Sequence, residues 1–145
     1  MWLERMTELA DHTDPLTVVN GFRDAFNIRD VHGLGAIFTQ NAEFVNIFGQ
    51  RMRGRDGIES GHAHVFASAL VATALAWTNL DTMRLGDDVA VIHAQWSRTR
   101  LSHATAASLP PGTGILTFVV EKTTEGWRIA AATNVQDAKP PVPVS

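Results

Sequence analysis

The sequence contains no cysteine, which removes disulfides, thiolate nucleophiles and Cys-ligated zinc together and leaves the redox compartment open. Tyrosine is absent as well, so the chain has no phenolic hydroxyl to act as an acid or hydrogen-bond donor. Long apolar runs are missing: no stretch approaches the roughly 18 residues of a membrane span. The opening Met-Trp-Leu-Glu-Arg-Met-Thr-Glu puts acidic residues where a secretory leader would carry its apolar core. The expectation is a soluble cytoplasmic protein with no membrane partner. Basic charge is also scarce, with 12 Lys and Arg against 15 Asp and Glu and a net charge of −3. Phosphate contacts need clustered cations, so no nucleic-acid partner is expected. The single basic cluster, Arg51, Arg53 and Arg55, alternates along one strand face and reads as a solvated edge before it reads as an anion site.

What is present fits one packed domain. At 145 residues, 45% hydrophobic and 19% charged, the chain has the balance of a globular protein and can bury roughly two thirds of its unfolded surface. Residues 1–14 read as a lead-in, 15–137 as the domain, and 138–145 as a flexible proline-rich tail. Asp14-Pro15 is a helix start, with Asp as N-cap and Pro at the first helical position. Leu16, Val19, Phe22 and Phe26 then recur at helical spacing to Asn27. Asp30 caps a second short helix running through Leu34 and Phe38. Gly33-Leu34-Gly35 follows no strand, so it is not a phosphate loop.

Ala42 to Phe48 alternates as a strand, with Phe44, Asn46 and Phe48 on one side and Glu43, Val45 and Ile47 on the other. Gly49-Gln50 turns the chain into a short strand, Arg51 to Arg53. Asp56 and Glu59 form a capping-box pattern for a third helix, on which Ile58, His62 and Phe66 share a face and His64 lies opposite. From Leu70 the period becomes two. Strands are expected at Leu70–Leu85, Val89–Leu101, Gly114–Thr123 and Gly126–Gln136, with a polar loop over Ser102–Pro111. Ala90, Ile92, Ala94, Trp96 and Arg98 share one face of the second of these; Val91, His93 and Gln95 share the other. Helices followed by a long meander give an α+β fold, a curved sheet around a cone whose interior suits a small molecule.

Two polar side chains, Asn46 and His62, stand where a core would prefer carbon. His62 is the one candidate for a general acid or base, with an ordinary pKa of about 6.5; the competing reading is a core histidine with its bonds satisfied. Asn46 either fixes a ligand carbonyl or hydroxyl, or bonds backbone. Trp96 beside small Ala94 suggests vacant space, as do Ala130 and Ala132 ahead of Asn134, against ordinary packing. Phe26 and Phe38 are core residues, and Trp127 packs after a turn. No metal site is expected: His62 and His64 face apart, and His12, His32 and His103 fall in capping or loop contexts. No Gly-x-Ser-x-Gly elbow occurs, no cofactor motif is present, Glu43 points away from Asn46, and Asp81 reads as surface or dimer-facing.

Phe44-Val45-Asn46 with Gly49, Gly54-Arg55 with Ile58 and His62, Val89-Ala90 with His93 and Trp96, Gly114-Ile115-Leu116-Thr117, and Gly126-Trp127-Arg128-Ile129 with Asn134 form an ordered set. Over about residues 15–137 it resembles the SgcJ/EcaC-type, SnoaL-like group of the nuclear transport factor two-like superfamily. The resemblance implies a cystatin-like cone, with three N-terminal helices packed on a strongly curved antiparallel or mixed sheet. It also implies a homodimer through the sheet's convex face and a hydrophobic small-molecule partner. His62 would be catalytic, and Asn46, Trp96, Asn134, Phe44 and Phe48 would bind ligand. The superfamily's ketosteroid isomerases place an aspartate three residues before the glycine turn, and here that position is Asn46. An amide has no basic form able to take a carbon-bound proton near neutral pH. Three functions remain open: an acid–base enzyme of isomerase, cyclase or lyase type, a non-catalytic ligand carrier, and a dimerisation scaffold resembling kinase association domains.

Overall fold

The computed structural model describes residues 14–68 and 72–138. Of the expected lead-in at 1–14 and tail at 138–145, residues 1–13 and 139–145 lie outside those residues, as do the first two residues of the strand expected from Leu70.

Three helices and six strands follow in the order α1 (Leu16–Ile28), α2 (Val31–Ala36), β1 (Phe38–Val45), β2 (Arg51–Arg53), α3 (Gly54–Ala67), β3 (Thr73–Arg84), β4 (Val89–Arg100), β5 (Gly112–Thr123) and β6 (Gly126–Gln136). The strands form one mixed sheet, ordered β2-β1-β6-β5-β4-β3. All neighbours are antiparallel except β1 and β6, which run parallel. The architecture is α+β with a curved sheet that does not close into a barrel.

Local chemistry explains most boundaries. The Asp14 carboxylate accepts from Leu16 N at 2.9 Å, filling one orphan donor of the first turn of α1. Asp30 caps α2 by accepting from Gly33 N at 3.0 Å. At the far end of α1, Arg29 takes a left-handed conformation with φ of 62°. Its guanidinium lies 5.2 Å from the Phe26 ring and 5.3 Å from the Phe66 ring, and donates to Thr73 O at 2.8 Å. Asn27 exchanges two bonds with Leu75 across 48 residues: Nδ2 donates to Leu75 O at 2.9 Å, and Leu75 N donates to Asn27 Oδ1 at 2.8 Å. A residue that reads as a helix breaker is therefore the bracket joining α1 to β3.

The inner face of the sheet is a column of buried side chains. Ala90, Ile92, Ala94, Trp96 and Arg98 of β4 all point inward and are buried, as alternation requires. Leu116, Phe118 and Val120 of β5 and Trp127 and Ile129 of β6 continue the layer. Phe22 is the centre of the helical side, with ring contacts to Phe26, Phe38, Phe44, His62 and Phe118.

Some expectations fail for identifiable reasons. The strand expected from Ala42 begins at Phe38, because parallel pairing with β6 recruits the earlier residues. It also stops at Val45, so alternation cannot be carried on to Asn46 and Phe48. Helix α3 starts at Gly54 with no side-chain cap, two residues before the expected Asp56, and Glu59 instead meets His32 at 2.7 Å. Arg55 therefore lies on a helix, while Arg51 and Arg53 pair with Glu43 on the sheet edge at 2.9 and 3.7 Å. Ala130 falls at a register shift between β5 and β6, so it leaves the face shared by Ala132 and Asn134. No helix among the described residues is long and apolar enough to cross a membrane.

Candidate functional site

Between α1, α3 and the inner face of the sheet lies a cavity of about 90 Å³. That is the liquid volume of about three waters, and less than the ~150 Å³ of an engineered apolar cavity that holds benzene. It fits a short chain or part of one ring. All six residues singled out from sequence, Phe44, Asn46, Phe48, His62, Trp96 and Asn134, contribute to its lining.

His62 reaches the cavity because α3 presents it one turn after buried Ile58. Its ring is 3% exposed, 4.8 Å from Phe44 and 5.9 Å from Phe22, both edge-on. Nδ1 lies 2.8 Å from Ile58 O. A carbonyl only accepts, so Nδ1 carries the proton, and in the neutral ring Nε2 holds the free lone pair. Among the described residues Nε2 has no partner, and it is not one of the enclosed, unpartnered side-chain nitrogens, which there are Arg55 Nε and Trp77 Nε1. It is therefore not fully enclosed, on a ring that lines the cavity. Burial lowers the pKa of the ring, opposed in part by the bond to Ile58 O, so the neutral form is favoured.

Asn46 is committed to the turn. Its Oδ1 accepts from Phe48 N and Gln50 N, both at 3.0 Å, and Nδ2 donates to Gln50 Oε1 at 3.0 Å. This is an Asx-type arrangement that holds the connection from β1 to β2, and it leaves one amide hydrogen for anything else. Phe48 sits at the rim, 58% exposed, where sequence alternation had placed it alongside buried Phe44. Phe44 itself is 3% exposed and belongs to the aromatic core as much as to the cavity wall.

Trp96 and Asn134 do meet. Trp96 Nε1 donates to Asn134 Oδ1 at 2.7 Å. Indole nitrogen can only donate, which fixes the amide orientation and leaves the Asn134 amino group free of that bond. The indole lies flat because its register partner is Gly114, where an added Cβ would come within 2.3 Å of Trp96 Cζ2.

One residue stands out that sequence reasoning placed inward but did not single out. Arg98 lines the cavity at 6% exposure. Nε donates to Pro110 O at 2.9 Å, and the guanidinium carbon lies 5.4 Å from the Trp96 ring centroid. Burial lowers its pKa. The available signal was a charged residue on the apolar face of an alternating strand. Thr73, buried at the start of β3, also lines the cavity and gave no such signal. No group of three or more metal-ligating side chains occurs among the described residues.

A family model described as a SnoaL-like domain matches residues 19–131. No curated protein matches. Among solved structures, a domain of unknown function with a cystatin-like fold from Nostoc punctiforme is similar, with 22% identity over 90% of this chain and 79% of that one and a TM-score of 0.74. A ketosteroid isomerase-like protein from Erwinia carotovora atroseptica is 17% identical over 91% of this chain and 98% of that one, with a TM-score of 0.70. A function-unknown protein from Mycobacterium tuberculosis is 25% identical over 92% of this chain and 74% of that one, also at 0.70.

Proposed function

The chain belongs to the SnoaL-like domain family, and from that premise we propose that it binds a hydrophobic small molecule in the cavity and acts on it by proton transfer through His62. One observation carries the reading: an imidazole held by Ile58 in a single tautomer, with Nε2 unpartnered against an aromatic wall. Such a ring can take a proton from a bound carbon or oxygen acid and return it at a neighbouring atom. Its lowered pKa keeps it in the accepting form at neutral pH. Phe44, Trp96 and Asn134 shape the wall, with Phe48 at the rim. Asn46 supports the reading only through the turn it braces.

Proton exchange at the α-carbon of small enolisable ketones in D₂O tests the chemistry, read by NMR with wild type and His62→Gln side by side. Acceleration by wild type that is lost in the variant is expected; equal rates would remove the catalytic part. A carrier without chemistry is the second reading, supported by an amide where the isomerases have a carboxylate and by the absence of tyrosine.

The proposal includes a cytoplasmic location, which fractionation would check, and a homodimer through the outer sheet face. On that face the register brings Met83, Val91 and Val119 into one row and Gln95, Ile115 and Val135 into another. Met83 is 52% exposed and Val135 60% exposed. His93, opposite Asp81 and Thr117, lies between the two rows.

A further inference from the structure

We propose that the cavity takes its ligand as an anion, a small apolar carboxylic acid whose carboxylate is the counter-ion of Arg98. This rests on the pocket reading above and narrows its substrate class. A guanidinium presents five N–H donors and no acceptor, and it is costly to bury without an opposing charge. Arg98 is 6% exposed, yet its hydrogen bond within the protein is the one from Nε to Pro110 O. Its remaining donors have no partner among the described residues and are not fully enclosed, on a side chain that lines the cavity. Among the described residues, no carboxylate pairs with Arg98. The lining residues include no Asp or Glu, and among the described residues Glu43 engages Arg51 and Arg53 while Glu59 engages His32.

The surroundings are arranged for an acceptor. Arg98 is opposite Gly112 on β5, where an added Cβ would fall 2.8 Å from Nη2, so the guanidinium rests against bare backbone. Asn134 gives its carbonyl to Trp96 and keeps its amino group for the cavity. The wall thus offers two donor groups beside an aromatic surface. A planar carboxylate matches the guanidinium fork with two parallel bonds, which a neutral carbonyl or hydroxyl cannot do. At about 90 Å³ the cavity restricts the apolar part to a short chain or a ring partly held in the mouth. Burial also lowers the Arg98 pKa, the direction expected for a cation whose partner arrives with the ligand.

The full-length chain should be titrated with benzoate and with its neutral counterpart benzamide, followed by amide NMR shifts and by the Trp96 indole N–H signal. Benzoate should bind at least about tenfold more tightly than benzamide, the scale of a charge-assisted bond over a neutral one. Arg98→Gln should erase that preference. Gly112→Ala, which keeps the charge but displaces the guanidinium, should weaken benzoate several-fold and leave benzamide within about twofold. The alanine variant also carries the test should the glutamine variant fail to fold. Equal binding of the two probes, or a preference that survives in Arg98→Gln, overturns the assignment. Benzamide binding at the cavity without benzoate would leave the pocket reading standing and remove this one. No cavity shift with either probe at millimolar concentration would overturn this assignment and count against the pocket reading as well.

Discussion

His62 sits at 3% exposure among phenylalanine rings, and that burial has a thermodynamic consequence. Its folded pKa lies below the ordinary 6.5, so on acidification the unfolded chain takes up the proton first. Stability is held at and above pH 6.5 and declines as the pH falls through the interval down to the lowered value. Urea midpoints at pH 7.5 and 5.5 should therefore separate more in wild type than in His62→Gln, and parallel midpoints would contradict the burial account. Gly114→Ala makes a different demand. The new methyl would meet Trp96 Cζ2 at 2.3 Å and Val135 O at 2.4 Å, so strand or indole must shift. Overpacking of this kind costs about 1–3 kcal/mol, and a shifted Trp96 indole signal with a lower melting temperature is expected. The inward position of His62 was legible from its spacing to Ile58 and Phe66. The role of Asn46 was not, because alternation says nothing past the residue where pairing stops. Arg98 was legible as inward, but its lack of an acidic partner depends on which side chains the fold brings near.

Among the elements, caps set by nearby residues were readable and those set by distant ones were not. The Asp30 cap on α2 is local, and Asp30→Ala should cost about 1 kcal/mol in chemical denaturation. The expected Asp56–Glu59 box fails because His32 on α2 takes the Glu59 carboxylate, a contact invisible within the segment. Likewise, nothing near Phe38 marks the start of β1; β6 does, with Phe38 opposite Ile129. Asn27 signals a helix end in sequence but serves as an α1–β3 clasp. Asn27→Ala loses both bonds to Leu75, and hydrogen exchange should quicken at Leu75 N–H before it does in β4 or β5.

For the whole molecule, the α+β class and curved mixed sheet followed from the meander and the family pattern, while the strand order, with β6 inserted beside β1, and the cavity's small size did not. Phe22 ties the layers together by touching the rings of helix, strand and sheet centre at 5.5–6.3 Å. Phe22→Ala should remove about 3–5 kcal/mol, a large share of the 5–15 kcal/mol that holds a typical domain. Sedimentation at micromolar concentration tests the dimer: a two-fold mass is expected for wild type and a monomer for Val135→Lys.

The parallel pairing of β1 with β6 places Phe38–Val45 beside Ile129–Thr133, with most of the chain between them. During synthesis β1 can pair early with β2, but its other edge must wait for the final strand, and until then the β1–β2 hairpin and α3 are not joined to the rest of the sheet. Contacts so distant in sequence slow folding and leave apolar surface open in the interval. A nascent chain released before Ile129 would have its aromatic residues in place along the sequence and no partner on β6 to join β1 to the sheet.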